Sequence, residues 1–246
     1  MCAKRSGSSD RRASASAVLS ELRSHADPEA VRGMVRYGIT SRKVFGISAP
    51  ILRTMAKEIG ENHALALRLW STGYLEARIL AALIDDPGAV TRKQMERWVA
   101  DFDNWAVCDA CCGNLFDRTP FAWEKAVAWS CRKEEFVKRA GFALMAWLAV
   151  HDKKAEDKLF LKFLTVIRRE ATDERNFVRK AVNWALRQIG KRSSFLNRHA
   201  LKTARGIQKI DSASSRWIAT DALRELTTNS VQLRLKKKDS RRAALR

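Results

Sequence analysis

Three features of this 246-residue chain predict an all-α fold, a curved solenoid of HEAT-like antiparallel helix pairs. Glycine and proline are scarce, at 11 and 4 residues, and all four prolines stand where helices can begin or end. No stretch shows the period-2 alternation with β-branched enrichment that a sheet requires. Helical segments recur in pairs roughly every 30 to 40 residues, close to the period of HEAT-type repeats. Stacked pairs leave a long concave surface suited to an elongated ligand. A compact helical bundle is the alternative architecture.

Taken in order, residues 1–14 are rich in Ser, Lys and Arg and read as a disordered basic segment. A single repeat domain is expected over 15–230. In DPEA, Asp27 caps a helix and Pro28 takes its first position; Ser48 opens another that runs to Gly60. The pairs then read as 62–72 with 73–85, 91–102 with 104–117, 119–131 with 133–150, 154–171 with 173–190, and 193–206 with 211–226. Their boundary signals are Asn62, Gly73, Asp86-Pro87-Gly88, Thr91, Asp103, Thr119-Pro120, Asp173, Gly190, Ser193, Gly206 and Asp211. The basic C-terminal tail, 231–246, ends in RLKKKDSRRAALR, with seven basic residues and one acid. It reads first as a solvated, disordered end and second as a loose phosphate contact.

Charge narrows the function. With 47 Lys plus Arg against 27 Asp plus Glu the net charge is +20, a field that attracts polyanions, nucleic acid above all. No apolar run approaches the roughly 20 residues of a spanning helix, and no signal peptide is evident, so no membrane and a cytoplasmic location are expected. Cys2, Cys108, Cys111, Cys112 and Cys131 are an odd number, four of them within helices, which suits reduced thiols. The CxxC spacing of Cys108 and Cys111 raises zinc, but no matching second ligand pair follows, so no metal is expected.

The segment DNWAVCDACCGNLF, Asp103 to Phe116, holds the informative anomaly. At helical spacing Trp105, Asp109, Cys112 and Phe116 form one row, a carboxylate among apolar or soft side chains. Burying an ionised Asp there costs several kcal/mol unless it is compensated, so the row borders a groove or Asp109 has a cationic partner. Arg139 in EEFVKRAGFALMAWLAVH is a charge at the mouth of an apolar helix; its bland reading is a surface pair with Glu135. In DERNFVRKAVNWALRQIGK, Phe177, Val178, Ala181, Val182, Ala185 and Ile189 mark the buried side. Trp184 lies at its edge near Lys180, Arg187 and Lys191, an aromatic among cations as on nucleic-acid surfaces, or else a core-edge Trp. Trp217, beside Arg216, reads as packing in the last repeat.

The series W-x-x-x-D in DNWAVCD, then Arg in FVKRAGFAL, then Trp in NFVRKAVNWALR, resembles the AlkD-type DNA alkylation repair glycosylases. The likeness runs from about Phe45 to Leu226 and includes FGISAPILR. It implies HEAT-like repeats, which the helix pairs already suggest. It further implies that Asp109 lies beside the anomeric carbon of a damaged nucleotide, with Trp105 and Trp184 against its deoxyribose. Arg139 would contact backbone phosphate, and Arg187, with Lys180 and Lys191, suits further DNA contact. Tyr37 and Phe45 are both candidates for a further aromatic near the N-terminus. Ala106 stands where relatives commonly carry a polar residue.

The expected function is thus a monofunctional glycosylase that releases cationic N3- or N7-alkylpurines from double-stranded DNA. It would act as a monomer without cofactor and associate with the nucleoid when bound. No lysine stands in or beside W-x-x-x-D to serve lyase chemistry. Two alternatives remain open: a non-catalytic repeat protein for damaged or branched nucleic acid, and a scaffold for an acidic protein partner.

Overall fold

A computed structural model describes residues 14–243. Apart from Ser14, the N-terminal segment read as disordered lies outside the described residues. The chain divides between Thr119 and Pro120 into two compact units, where the sequence reading has one domain. All regular elements among the described residues are helical.

The first unit holds α1 (Ala15–Ser24), α2 (Pro28–Met34), α3 (Ala49–Ile59), α4 (His63–Ser71), α5 (Leu75–Ile84), α6 (Arg92–Ala100) and α7 (Trp105–Asn114). Helix α5 is its hub, packing on α3, α4 and α7. Stacked indoles of Trp70 and Trp98, 3.9 Å between centroids, anchor the core with Phe102 and Phe116. Caps hold the ends: the Asp27 carboxylate accepts from the Glu29 and Ala30 amides, and Asn62 and Thr91 accept from Leu65 and Gln94. The FGIS segment is fixed from below by Glu76. Fully buried on α5, its carboxylate accepts the amide N–H groups of Phe45, Gly46 and Ile47 at 2.9, 2.7 and 3.3 Å. Those three donors offset the desolvation of the acid.

The second unit holds α8 (Ala122–Ser130), α9 (Glu135–His151), α10 (Phe160–Arg169), α11 (Asn176–Gly190), α12 (Ser194–Gln208), α13 (Ala213–Leu226) and α14 (Asn229–Ala243). Helices α9, α11 and α13 pack side by side as one layer; α8 pairs with α9, and α12 with α13 while also meeting α10. The α8–α9 approach is close because position 141 has no side chain. A Cβ on Gly141 would lie 2.5 Å from the Ser130 amide nitrogen and 2.9 Å from the Ala126 carbonyl oxygen. Between α9 and the α10–α11 loop, buried Lys138 meets Glu170 at 2.6 Å and Asp173 at 2.9 Å.

The helix pairs fall within a few residues of their expected places, and the differences are local. Asn104 rather than Asp103 caps α7, its Oδ1 accepting from the Ala106 and Val107 amides. Helix α8 opens at Ala122 instead of after Pro120, because the Thr119 hydroxyl turns back to donate to the Phe116 carbonyl. Asp173 is not the N-cap of α11, which begins three residues later at Asn176; its carboxylate accepts the amide N–H of the N-cap residue Arg175 and is held by Lys138 and the Arg175 guanidinium. Ser212, one residue past Asp211, caps α13. The C-terminal stretch expected to be solvated and disordered is α14 as far as Ala243. Val231 and Leu235, spaced one turn apart, are buried at 5% and 1% exposure, and that apolar stripe seats the helix.

Two measurements check this packing. Gly141→Ala pushes α9 off α8, so thermal melting should show a loss of about 1–3 kcal/mol of stability, as for other overpacked contacts. Burial would raise the Asp173 carboxyl, but hydrogen bonds from Arg175 and Lys138 outweigh it and hold the group at about 2. Its folded value lies below the unfolded 3.8, so its contribution is present above that value and lost as pH falls towards 2. Wild type should therefore lose on the order of 2 kcal/mol more than Asp173→Asn in melts between pH 5 and pH 2.

Candidate functional site

In the first unit the N-terminal turn of α7 is tied to the segment after α2. The Trp105 indole N–H donates to the Tyr37 carbonyl at 2.8 Å. The Asn104 amide donates to Ser41 Oγ at 3.0 Å, and Ser41 donates to the Asp103 carboxylate at 2.9 Å. The Tyr37 backbone is thereby tied to Trp105, and the residue is 70% exposed. Phe45, the other candidate aromatic, is in the core and stacked on Tyr74 at 4.5 Å. Of the two candidates, only Tyr37 is exposed, and Phe45 lies in the core.

The row Trp105, Asp109, Cys112, Phe116 divides in two. Trp105 and Asp109, one turn apart, are half-buried, whereas Cys112 and Phe116 are fully buried. Phe116 has left the helix for a 3-10 turn. Burial pushes the Cys111 and Cys112 thiols up well above the ordinary cysteine range, and neighbouring Cys108 adds to it. Protonated thiols of that kind are poor nucleophiles and poor metal ligands, and they let α7 lie close on α5. Among the described residues no group of three or more His, Cys, Asp or Glu is arranged to hold a metal ion. The half-buried part of α7 holds an indole whose N–H is engaged by Tyr37 and, one turn on, the Asp109 carboxylate.

In the second unit α9 and α11 carry the remaining candidates. Arg139 is no surface residue: it is 7% exposed, and its Nη1 donates to the Phe177 carbonyl at 2.7 Å, joining α9 to α11. Half-buried Trp184 meets Trp147 edge-on, at 5.4 Å and 85° between planes. Trp147 in turn stacks on His151 at 4.8 Å. Sequence reasoning passed over Trp147 within an apolar run; its spacing of two turns from Arg139 on one face of α9 is the signal that finds it. Its Nε1 is buried with no hydrogen-bond partner among the described residues.

The cations expected near Trp184 separate. Lys180 is exposed. Arg187 and Lys191 instead meet the Glu225 carboxylate of α13, at 2.5 and 2.6 Å, and Arg187 is also 3.4 Å from Asp221. Burial would raise the Glu225 carboxyl, but Lys191 and Arg187 more than compensate and keep it below the usual glutamate range. Trp217 is 38% exposed, with the Arg179 guanidinium 5.3 Å from its ring centre, at the edge of the last pair rather than inside it.

The family described as "DNA alkylation repair enzyme" matches residues 18–226. Among curated proteins nothing matches. One solved structure is similar with a TM-score of 0.72 and 19% identity, over 85% of this chain and 94% of that one. It is described as a new family of proteins related to the HEAT-like repeat DNA glycosylases with affinity for branched DNA structures. That likeness bears out the HEAT-like fold. No helix among the described residues is long and apolar enough to cross a membrane.

Because Glu225 neutralises two of the three cations flanking Trp184, Glu225→Gln should expose both. The variant should elute from a heparin column at higher salt than wild type; unchanged elution would show that neither cation reaches a polyanion.

Proposed function

We propose, from the premise that this chain belongs to the DNA alkylation repair enzyme family, that it hydrolyses the N-glycosidic bond of N3- or N7-alkylated purines in duplex DNA. The observation that carries this reading is the outward half of α7, where a half-buried carboxylate stands one turn from an indole whose N–H is already engaged. A net charge of +20 supports a DNA partner.

A purine alkylated at N3 or N7 is cationic, so its bond to C1′ is weak and the base departs neutral without a general acid. Positive charge then develops on the deoxyribose, and that charge is what an enzyme must stabilise. In this proposal Asp109 faces C1′ and accepts a hydrogen bond from the attacking water. The water oxygen bonds to C1′ as the C1′–N bond breaks, and the water's surplus proton passes to the carboxylate and on to solvent. Trp105, one turn from Asp109, lays its indole face against the sugar and contributes about 0.5–2 kcal/mol of cation–π attraction, while Trp184 offers its ring to DNA on the second unit. Arg139, which is 7% exposed and donates to the Phe177 carbonyl, reaches a backbone phosphate only if its side chain turns out of that buried place. Lys180 meets another, and Arg187 and Lys191 do so in competition with Glu225. The chain works as a monomer, and in the cell it is cytoplasmic and gathers on the nucleoid. With no lysine beside Asp109, a monofunctional reaction follows.

The second reading is a DNA-binding protein without catalysis. It is favoured by the structural neighbour whose description names affinity for branched DNA. Release of 7-methylguanine from methylated duplex decides between the two. Wild type should release it, and Asp109→Asn should slow release by two orders of magnitude or more, as when a key electrostatic group is removed, while binding DNA nearly as well. Equal rates would remove Asp109 from the chemistry. Binding of duplex or branched DNA with no release would establish the second reading.

A further inference from the structure

Beyond residue 226, where the family match ends, the chain continues into α14, and this helix completes a basic cleft. The cleft measures about 620 Å³ and lies against the C-terminal ends of α9 and α11. Five cations line it, Lys153, Lys191, Arg192, Arg234 and Lys238, and no carboxylate does. Two are tied down, Lys191 by Glu225 and Arg192 by Asp157 at 3.0 Å. Lys153 and Arg234 are exposed and make no ion pair among the described residues. Lys238 donates its Nζ to the Lys191 carbonyl at 2.9 Å and so holds α14 to the end of α11.

This wall is built rather than trailing. Val231 and Leu235 are buried beneath α14, and the Gln232 amide donates to the Leu226 carbonyl at 2.6 Å and to Asn197 at 3.2 Å. Arg234 and Lys238, four residues apart, share one face of the helix. The cleft is also continuous with the aromatic surface. Gln188 lies in its lining one turn past Trp184, and Val150 and Lys153 follow directly on the turn of α9 that carries Trp147 and His151.

We propose that this cleft grips the sugar–phosphate backbone of duplex DNA. It is a contact additional to those at the base site, and it rests on the DNA reading above. The cations meet phosphate oxygens, and the Ala149 and Val150 side chains border the sugar edge. With five cations lining it, the cleft takes more than one phosphate. A strand passing Trp184 enters it without leaving the second unit.

The test uses the full chain with Lys153→Gln, Arg234→Gln and Lys238→Gln combined, a fluorescently labelled unmodified duplex, and salt from about 50 to 200 mM. Each lost phosphate contact should reduce the slope of log affinity against log salt by about 0.9, so the triple variant should lose about 2.7 in slope and bind at least tenfold more weakly at the low-salt end. Arg234→Gln alone should lose about one contact's worth, which keeps the proposal testable if the triple variant melts early. The Lys153→Arg/Lys238→Arg variant should keep the wild-type slope. Base release at saturating protein should be unaltered in every variant. If wild type binds DNA with a slope that the variants leave unchanged, the cleft is not a DNA contact. If wild type shows no salt-dependent DNA binding at all, the DNA reading itself falls. Loss of binding to phosphatidylglycerol vesicles with an unaltered DNA slope would assign the cleft to lipid and overturn the proposal.

Discussion

Carboxylates are the minority charge in this chain, and their placement decides which cations are structural and which face outward. The second unit shows the division. Lys138 is 9% exposed and would be intolerable there alone, yet Glu170 and Asp173 meet it and a third partner, Arg175, joins through Asp173. Asp157 serves Arg192, and Glu225 serves Arg187 and Lys191. Breaking any one of these leaves a buried or half-buried charge without compensation, which costs far more than forming a surface pair gains. Cations that received no acid, Lys153, Lys180 and Arg234 among them, stand exposed. The surplus positive charge is therefore concentrated where a polyanion can reach it.

The same accounting explains why the fold was easier to read than the site. Helix pairs leave periodic apolar rows and capping residues at fixed offsets, so α4 to α13 were legible to within a few residues. The caps that misled were those whose side chains serve a distant partner. Asp103 binds Ser41, 62 residues away, and Asp173 binds Lys138, so neither closes the helix that local sequence assigns to it. Helix α14 was missed for a related reason: its six basic residues outweigh, in composition, the two apolar residues that dock it.

At the site, residue type was legible and environment was not. Trp105 and Asp109 stood out because an acid on an apolar helical row is costly, and both are half-buried as that argument requires. Arg187 and Lys191 looked available because sequence spacing cannot show α13 lying alongside with Glu225. Tyr37 and Phe45 looked alike in sequence, yet one is bonded through its backbone to Trp105 and the other is stacked in the core. Trp147 was hidden by its neighbours, since a Trp in an apolar run signals core until a second aromatic meets it edge-on.

Within the second unit, this arrangement separates two tasks along α11. Trp184, backed by Trp147 and His151, presents rings, which attract sugar or base at short range and lose little to salt. One turn further the surface changes to the cations of the cleft, whose attraction for phosphate is long-ranged and falls steeply with salt. A strand held only by rings would dissociate quickly, and one held only by cations would not favour any nucleotide over another. Under the proposed reading, joining the two on one helix lets backbone contact hold the polymer while the rings select what lies against them. Because α14 supplies part of the cationic half from outside the family match, the proposed grip can be altered in this chain without touching Trp105, Asp109 or Trp184.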